Sequence, residues 1–332
     1  MYTVVVDAMG GDNAPQAPVL GALEALKEDA ELRVILVGRK EAVDSVLNGQ
    51  TYDTERLSFR QAEKVIQNEE HSPAEAIRDK RDSSMAVALR MVKEKEADGM
   101  VSTGNTGALL AGATLIVGRI PGVQRPALSI ALPSGDTPTL LLDVGANMDA
   151  KASYLDQFAR MSSIYMRKQY GVERPKVGLL NVGTEEGKGN AQAKEAYEVL
   201  KQDTELCFIG NVEAREGLSG RADIIVTDGF AGNVMLKTME GTAEYIGKLL
   251  KSGIYGSLRG KLGGALLKPV LAQFKRKMNP SAIGGTPLLG INGAVLKAHG
   301  NSKAPAFANA ISRCRDFIAS GINEEIAASL RQ

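Results

Sequence analysis

Lys188 stands between Gly187 and Gly189, within the run Lys176-Val-Gly-Leu-Leu-Asn-Val-Gly-Thr-Glu-Glu-Gly-Lys-Gly-Asn190. Val177 to Leu180 is a short apolar stretch that reads as a buried strand. Gly183, Gly187 and Gly189 follow, with Thr184 and Lys188 among them, and a helix-periodic segment opens at Ala191. A strand, a Gly-rich turn and a helix together aim backbone N–H groups and a positive helix end at an anion, and a lysine adds a mobile charge. The run is not a P-loop, which needs four residues between its glycines and Ser or Thr after its Lys. Two readings stand on these residues alone: an anion site, or an ordinary helix connection with a solvated lysine.

The pattern recurs. Met100-Val-Ser-Thr-Gly-Asn-Thr-Gly-Ala108 carries a strand into Gly104, Asn105, Thr106 and Gly107, and a helix over Ala108–Val117 is expected at once. Small hydroxyl and amide side chains there suit phosphate. Simple N-capping is the alternative, and the density of such residues exceeds what a cap needs. In Asp7-Ala-Met-Gly-Gly-Asp-Asn-Ala-Pro15 the carboxylates could serve a ligand or a cation. The preferred reading is plainer: Asp12 or Asn13 caps a helix from Pro15 to about Lys27, and Asp7 satisfies backbone groups. Asp143-Val-Gly-Ala-Asn-Met148, Gly210-Asn-Val-Glu213 and Thr227-Asp-Gly-Phe-Ala-Gly-Asn233 are further strand ends rich in Gly and Asn. In open α/β sheets the ligand crevice lies at the carboxyl ends of strands. A Gly-x-Gly-x-x-Gly run is absent, so a standard dinucleotide site is not expected.

These junctions need a sheet and helices to hold them. Further strands are predicted at Thr3–Val6, Arg33–Gly38, Leu206–Ile209 and Ala222–Val226. Leu128–Leu132 and Thr139–Leu142 should form a hairpin turning at Ser134-Gly135-Asp136. Helices are predicted at Lys40–Leu47, Ser83–Lys95, Ala152–Tyr170, Ala191–Lys201 and Phe307–Leu330. Thr51 to Lys80 reads as polar and irregular, with His71 a surface or capping residue. The alternation is that of an α/β protein, and 332 residues suffice for one large domain or two. A net charge of +1 and the absence of Trp argue against nucleic acid as a partner. His71 and His299 are the only histidines, which excludes a His-rich metal centre. Cys207 and Cys314 lack metal-ligand spacing and read as reduced, buried, intracellular thiols. The N-terminus enters a strand without a signal peptide, and no apolar run is long enough to span a bilayer.

From Tyr245 to Arg315 there is no acidic residue, while Lys and Arg number twelve. Ile254, Leu258, Leu262 and Leu266 recur at four-residue spacing, beside Lys268 and the cluster Lys275-Arg276-Lys277. This segment is expected to be a basic helical excursion at about 245–280. An apolar stripe with basic neighbours fits an anionic membrane surface, and a dimer or core contact is the competing fate. Gly253, Gly256, Gly260, Gly263 and Gly264 favour a mobile tip over a rigid core helix.

Taken together, Asp7–Pro15, Ser102–Ala108, Leu142-Asp-Val-Gly-Ala-Asn147, Leu180-Asn-Val-Gly-Thr-Glu185, Ile209–Glu213, Thr227–Asn233 and Lys297-Ala-His-Gly300 resemble the bacterial phosphate acyltransferase of phospholipid synthesis. The resemblance spans essentially the whole chain in order. It implies a single three-layer α/β/α sandwich with one mixed sheet, similar to isocitrate and isopropylmalate dehydrogenase, and a homodimer. The implied activity moves a fatty acyl group from acyl carrier protein to inorganic phosphate, giving acyl phosphate that a membrane glycerol-3-phosphate acyltransferase consumes. No cofactor and no metal are implied. The enzyme would be cytoplasmic and peripherally, transiently associated with the membrane; alternatively the basic residues of the excursion meet the acidic carrier protein. By this resemblance Lys188 and Asn233 are the catalytic pair. Lys188 holds phosphate or assists the leaving sulfur, and Asn233 hydrogen-bonds the thioester carbonyl or phosphate. Gly104, Asn105, Thr106, Gly107, Asn147, Thr184 and Gly232 would shape the phosphate pocket. His299 is placed near it, with a packed, hydrogen-bonded histidine as the alternative. The chemistry asks little else, because phosphate dianion is already a nucleophile and a thioester leaves as thiolate; positioning and oxyanion stabilisation remain. Two other functions fit less well: a phosphotransacetylase acting on coenzyme A thioesters, and a non-catalytic phosphate-ligand sensor on membranes.

Overall fold

The computed structural model describes residues 1–70, 72–277 and 284–330, without the side chains of Leu258 and of residues 271–277. His71 lies outside the described residues, as do the side chains of Lys275, Arg276 and Lys277. In chain order the strands are β1 (Tyr2–Asp7), β2 (Leu32–Gly38), β3 (Leu57–Gln61), β4 (Gly99–Ser102), β5 (Ala127–Leu132), β6 (Thr139–Leu142), β7 (Lys176–Asn181), β8 (Cys207–Glu213), β9 (Ile224–Val226), β10 (Thr286–Leu289) and β11 (Ala294–Lys297). The helices are α1 (Gln16–Glu28), α2 (Lys40–Leu47), α3 (Pro73–Asp79), α4 (Ser84–Lys93), α5 (Thr106–Gly112), α6 (Ala152–Tyr170), α7 (Ala191–Gln202), α8 (Gly229–Tyr255), α9 (Leu258–Lys277), α10 (Ala304–Ala319) and α11 (Ile322–Ser329).

The strands form one mixed sheet in the order β3-β2-β1-β4-β11-β10-β5-β6-β9-β7-β8. β3, β2, β1, β4 and β11 run parallel to one another, and so do β6, β9, β7 and β8. Antiparallel pairings β11–β10, β10–β5 and β5–β6 join the two blocks, so the blocks run in opposite directions. Strand side chains alternate between faces. Val4 and Val6, Leu140 and Leu142, and Ile224 and Val226 enter a core beneath α1, α6, α7, α10 and α11. Val5, Leu141 and Ile225 enter a second core with residues of α3, α4, α5 and the start of α8. Near-continuous apolar strands are what a sheet covered on both faces requires. The result is the α/β/α sandwich with one mixed sheet that the family resemblance implied.

Several local expectations need correction. The stretch Thr51–Lys80 contains β3 and α3: Leu57 is buried at the sheet edge, and Pro73 opens α3 at its first turn. Neither Asp12 nor Asn13 caps α1; Asn13 Nδ2 instead donates to the carbonyls of Asn301 and Ser302. The helix after β4 starts earlier, at Thr106, and continues as a π-type turn over Ala113–Val117. The closing helix is two helices, broken where Gly321 takes a left-handed φ of 65°. Cys314 is buried as expected, but Cys207 is only partly so.

The basic excursion is a helical hairpin made by the distal part of α8 and by α9. The chain breaks helix at Gly256 and Ser257, so Ile254 belongs to α8 while Leu258, Leu262 and Leu266 belong to α9. The four-residue stripe is therefore not one face of one helix. A Cβ on Gly260 would meet the Ile254 carbonyl oxygen at 2.4 Å, and one on Gly264 would meet Ile254 Cγ2 at 2.3 Å. These two glycines let α9 lie against α8. Leu262 and Leu266 remain 72% and 83% exposed.

Candidate active site

Two cavities flank the first half of α8. Helix residues three and four apart share a face. Asn233, Leu236, Lys237 and Glu240 point into a cavity of about 360 Å³, while Phe230, Val234, Met235 and Thr238 point into another of about 800 Å³. The smaller cavity is closed by Thr106 and Gly107 from α5, Ser129 from β5, Gly145 after β6, and Lys297 and His299 at the end of β11. The larger is bounded by Asn181, Gly189 and Asn190 of the loop after β7, with Leu179, Leu180 and Val182. The smaller cavity thus joins the ends of β4 and β11 to the turn after β6, across the change of strand direction, while the end of β7 opens on the other side of α8.

The start of α8 is fixed by close contacts. A Cβ on Gly232 would sit 2.0 Å from the Asp143 carbonyl oxygen, so only glycine fits. The Gly229 N–H donates to the Asn147 carbonyl at 2.7 Å, and Asp228 caps the helix through Ala231 N–H. Asp143 organises the loop that receives α8. It is fully buried, and its carboxylate accepts from the Leu128 N–H (3.0 Å), the Ala146 N–H (3.1 Å), the Asn147 N–H (2.5 Å) and Asn147 Nδ2 (2.9 Å). Burial nevertheless holds the carboxyl above its ordinary value, against those hydrogen bonds. Asn147 Nδ2 also donates to the Pro126 carbonyl, so this side chain latches the wall of the site.

At the corresponding end of β1, Asp7 is buried and accepts from Ser102 Oγ at 2.7 Å and from the Met9 N–H at 3.3 Å. That is the plain satisfaction of polar groups preferred from the sequence. Asn105 is also committed: its Oδ1 caps α5 through Ala108 N–H, and its Nδ2 donates to the Asn68 carbonyl. Thr106 and Gly107 follow it onto the wall of the smaller cavity. Gly104 is buried, with Met85 Cε 2.7 Å from where its Cβ would be.

Lys188 lies on the other flank. Its side chain is 51% exposed, with Nζ 3.8 Å from Glu185 Oε1, and Thr184 is exposed on the same loop. The loop itself is pinned: Asn181 Nδ2 donates to the Lys188 carbonyl and to Asn211 Oδ1, and Asn211 Nδ2 donates to the Glu185 carbonyl. Gly189 has φ +94°, and a Cβ there would strike Asn181 Oδ1 at 2.6 Å. The structure therefore groups Thr106, Gly107, Asn233 and His299 around the smaller cavity and sets Lys188 and Thr184 beyond α8.

Three charged groups of the smaller cavity escaped the sequence reading. Glu240 Oε2 accepts from Lys237 Nζ at 2.7 Å, and Glu240 Oε1 lies 3.8 Å from His299 Nε2. The His299 contact, helped by Lys237, brings the Glu240 carboxyl down to about 2. The Asn301 N–H approaches His299 Nδ1 at 3.4 Å, which assigns the neutral ring's proton to Nε2, facing Glu240. Lys297 is the third. Its amine donates to the carbonyls of Thr103 and Ala298, and desolvation lowers it to about 8 although Asp12 and Asp7 pull the other way. One signal was present in the sequence: a lysine closing the apolar strand Ala294-Val-Leu296 must carry its charge into a buried strand end.

The fold, with a cleft of amide, hydroxyl and cationic groups beside α8, has the architecture of phosphotransacetylases. A phosphotransacetylase from Streptococcus pyogenes shares this fold, with a TM-score of 0.62 at 18% identity over 95% of this chain and 94% of that one. Residues 2–325 match the family described as fatty acid synthesis protein. The chain is 45% identical over 328 residues to the phosphate acyltransferase of Dictyoglomus thermophilum, covering 98% of this chain and 97% of that protein. It is 45% identical over 329 residues to that of Clostridium acetobutylicum, covering 99% of each. The chain belongs to the phosphate acyltransferase family.

Proposed function

We propose that the enzyme transfers a fatty acyl group from acyl carrier protein to inorganic phosphate, releasing acyl phosphate and free carrier protein for phospholipid synthesis. The observation that carries this reading is the cleft beside α8, where Asn233, Thr106, Lys237 and Lys297 bring amide, hydroxyl and ammonium groups onto a small cavity. Such a set stabilises an oxyanion and orients an anionic nucleophile, which acyl transfer to phosphate requires. Asn233 hydrogen-bonds the thioester carbonyl. Lys188 holds phosphate as it approaches around the start of α8. Gly104, Gly107 and Gly232 permit the close backbone approaches that shape the site, and Asn105 and Asn147 hold its walls.

The sandwich acts as one α/β/α domain, with the α8–α9 hairpin projecting from it. Among the described residues no helix is long and apolar enough to cross a membrane. Exposed Leu262, Leu266 and Leu267 beside Lys261 and Lys268 suit transient docking on an anionic membrane surface. A cytoplasmic homodimer would dock this way and pass its lipid-like product to a membrane glycerol-3-phosphate acyltransferase. Mixing the protein with an acyl carrier protein thioester and phosphate, then measuring free thiol, tests the activity. Phosphate-dependent thiol release is expected, faster than with the matching coenzyme A thioester. No release, or a preference for coenzyme A, would overturn the reading.

A further inference from the structure

We propose that Lys297 is a further catalytic residue, the group that carries the reaction's single proton from phosphate to the departing sulfur. The proposal rests on the acyl-transfer reading above. That reaction must move one proton. An oxygen of hydrogen phosphate adds to the thioester carbonyl carbon, and a C–O bond forms. The C–S bond then breaks, and its electron pair leaves on sulfur. The Lys297 ammonium gives a proton to that sulfur, and the resulting amine takes up the proton that phosphate gives up. Thioester and hydrogen phosphate become acyl phosphate and free thiol, with no other reactant needed.

Position supports Lys297 for this duty. It ends β11 and lines the same cavity as Asn233 and Thr106. Two carbonyl oxygens, of Thr103 and Ala298, take two of its three N–H donors, which leaves one for a reacting group. The Thr103 carbonyl belongs to the turn that leads into Thr106, so the amine is built into the wall of the cavity. The charged and titratable groups around it have other commitments. Asp7 on β1 is buried against Ser102 and Met9, and Asp12 in the loop after β1 accepts from Asn68. Glu240 and Lys237 on α8 pair with each other. Tyr165 on α6 is pushed far up by burial, and Tyr170 accepts from Arg313. His299 is 45% exposed, with Nε2 turned toward Glu240. An amine titrating near 8 stands close to the ordinary range of an alkyl thiol, the match that proton transfer favours.

The test uses Lys297→Met and Lys297→Arg with two acyl donors of one chain length. One is an alkyl thioester of pantetheine. The other is an aryl thioester of thiophenol, whose thiolate leaves without a proton. With the alkyl donor, Lys297→Met should lose roughly a hundredfold or more in kcat, with the phosphate KM little changed. With the aryl donor it should stay within a few-fold of wild type. Lys297→Arg keeps the charge and the hydrogen bonds but cannot release a proton, so it should fail on the alkyl donor as well. The alkaline limb of the wild-type pH profile should vanish in both variants. Equal losses on the two donors, or full rescue by arginine, would overturn the proposal and make Lys297 a structural or phosphate-holding cation. Loss of alkyl-specific activity in His299→Asn but not in Lys297→Met would move the role to His299. A wild-type enzyme that released no phosphate-dependent thiol from either donor would instead overturn the acyl-transfer reading beneath it.

Discussion

Removing the Asp143 carboxylate should destabilise the fold more than the loss of any single cavity-lining residue. Asp143→Ala leaves three backbone N–H groups and the Asn147 amide without their acceptor, in a site where Asp143 is fully buried. Hydrogen bonds to a charged group contribute about 1.5–3 kcal/mol each. Four of them do not add, because they share two oxygens, and because deleting a buried charge removes its desolvation cost. The net cost should be about 3–5 kcal/mol, as for other broken buried ionic networks. Asp143→Asn keeps one acceptor oxygen but turns an NH2 group toward two donors, so it should cost about 2–4 kcal/mol. The pH dependence has a definite sign. The folded carboxyl titrates above the unfolded value, so the unfolded chain releases this proton at lower pH. Stability from Asp143 therefore declines as pH rises from about 4 through the folded value, and Asp143→Asn should abolish that decline. Urea unfolding followed by circular dichroism, repeated across pH, measures both effects. A loss below about 1 kcal/mol in Asp143→Ala would refute the reasoning, since four buried donors would then have found other partners.

Three further outcomes are expected. Lys188→Ala should fold normally, since its ion pair with Glu185 is exposed, yet turn over roughly a hundredfold more slowly in the thiol-release assay; wild-type rates would remove it from the mechanism. Leu262→Glu with Leu266→Glu should abolish sedimentation with anionic liposomes and leave acyl transfer in solution intact, and persistent sedimentation would place docking elsewhere. Glu240 titrates below its unfolded value, so its contribution is present above about 4.5 and lost as pH falls toward 2. Glu240→Gln should therefore remove about 1 kcal/mol of acid-side destabilisation, the full shift being discounted for partial exposure, and an unchanged acid unfolding curve would contradict this.

The layers of the fold were legible because both cores are written into consecutive apolar strand residues, as in Leu140-Leu141-Leu142 and Ile224-Ile225-Val226, with helix-periodic segments between them. β3 was not, because an edge strand reading Leu-Ser-Phe-Arg-Gln buries little and looks like loop. The break after Tyr255 was masked by a four-residue apolar spacing that runs across it. At the site, short-range signals were readable: Gly232 and Gly189 announce close approach, and Asn at a strand end announces a cap or latch. Which strand ends share a cavity was not readable, because β5 and β10 reverse the direction of half the sheet, and no local spacing encodes that reversal. Glu240 escaped for the same reason: it lies about three turns into a long helix, and only the placing of α8 beside the turn after β11 gives it His299 as a neighbour.

At 27 residues, α8 extends about 40 Å in one unbroken piece. It is a shared wall, so the two chambers beside it do not have independent widths: a swing of the helix that opens one narrows the other. The end at Gly232 has no slack against the Asp143 carbonyl, so any tilt of the helix would have to pivot there. Sideways travel in such a tilt would grow with distance along the helix, smallest at Asn233 and largest at Tyr255, where the hairpin turns.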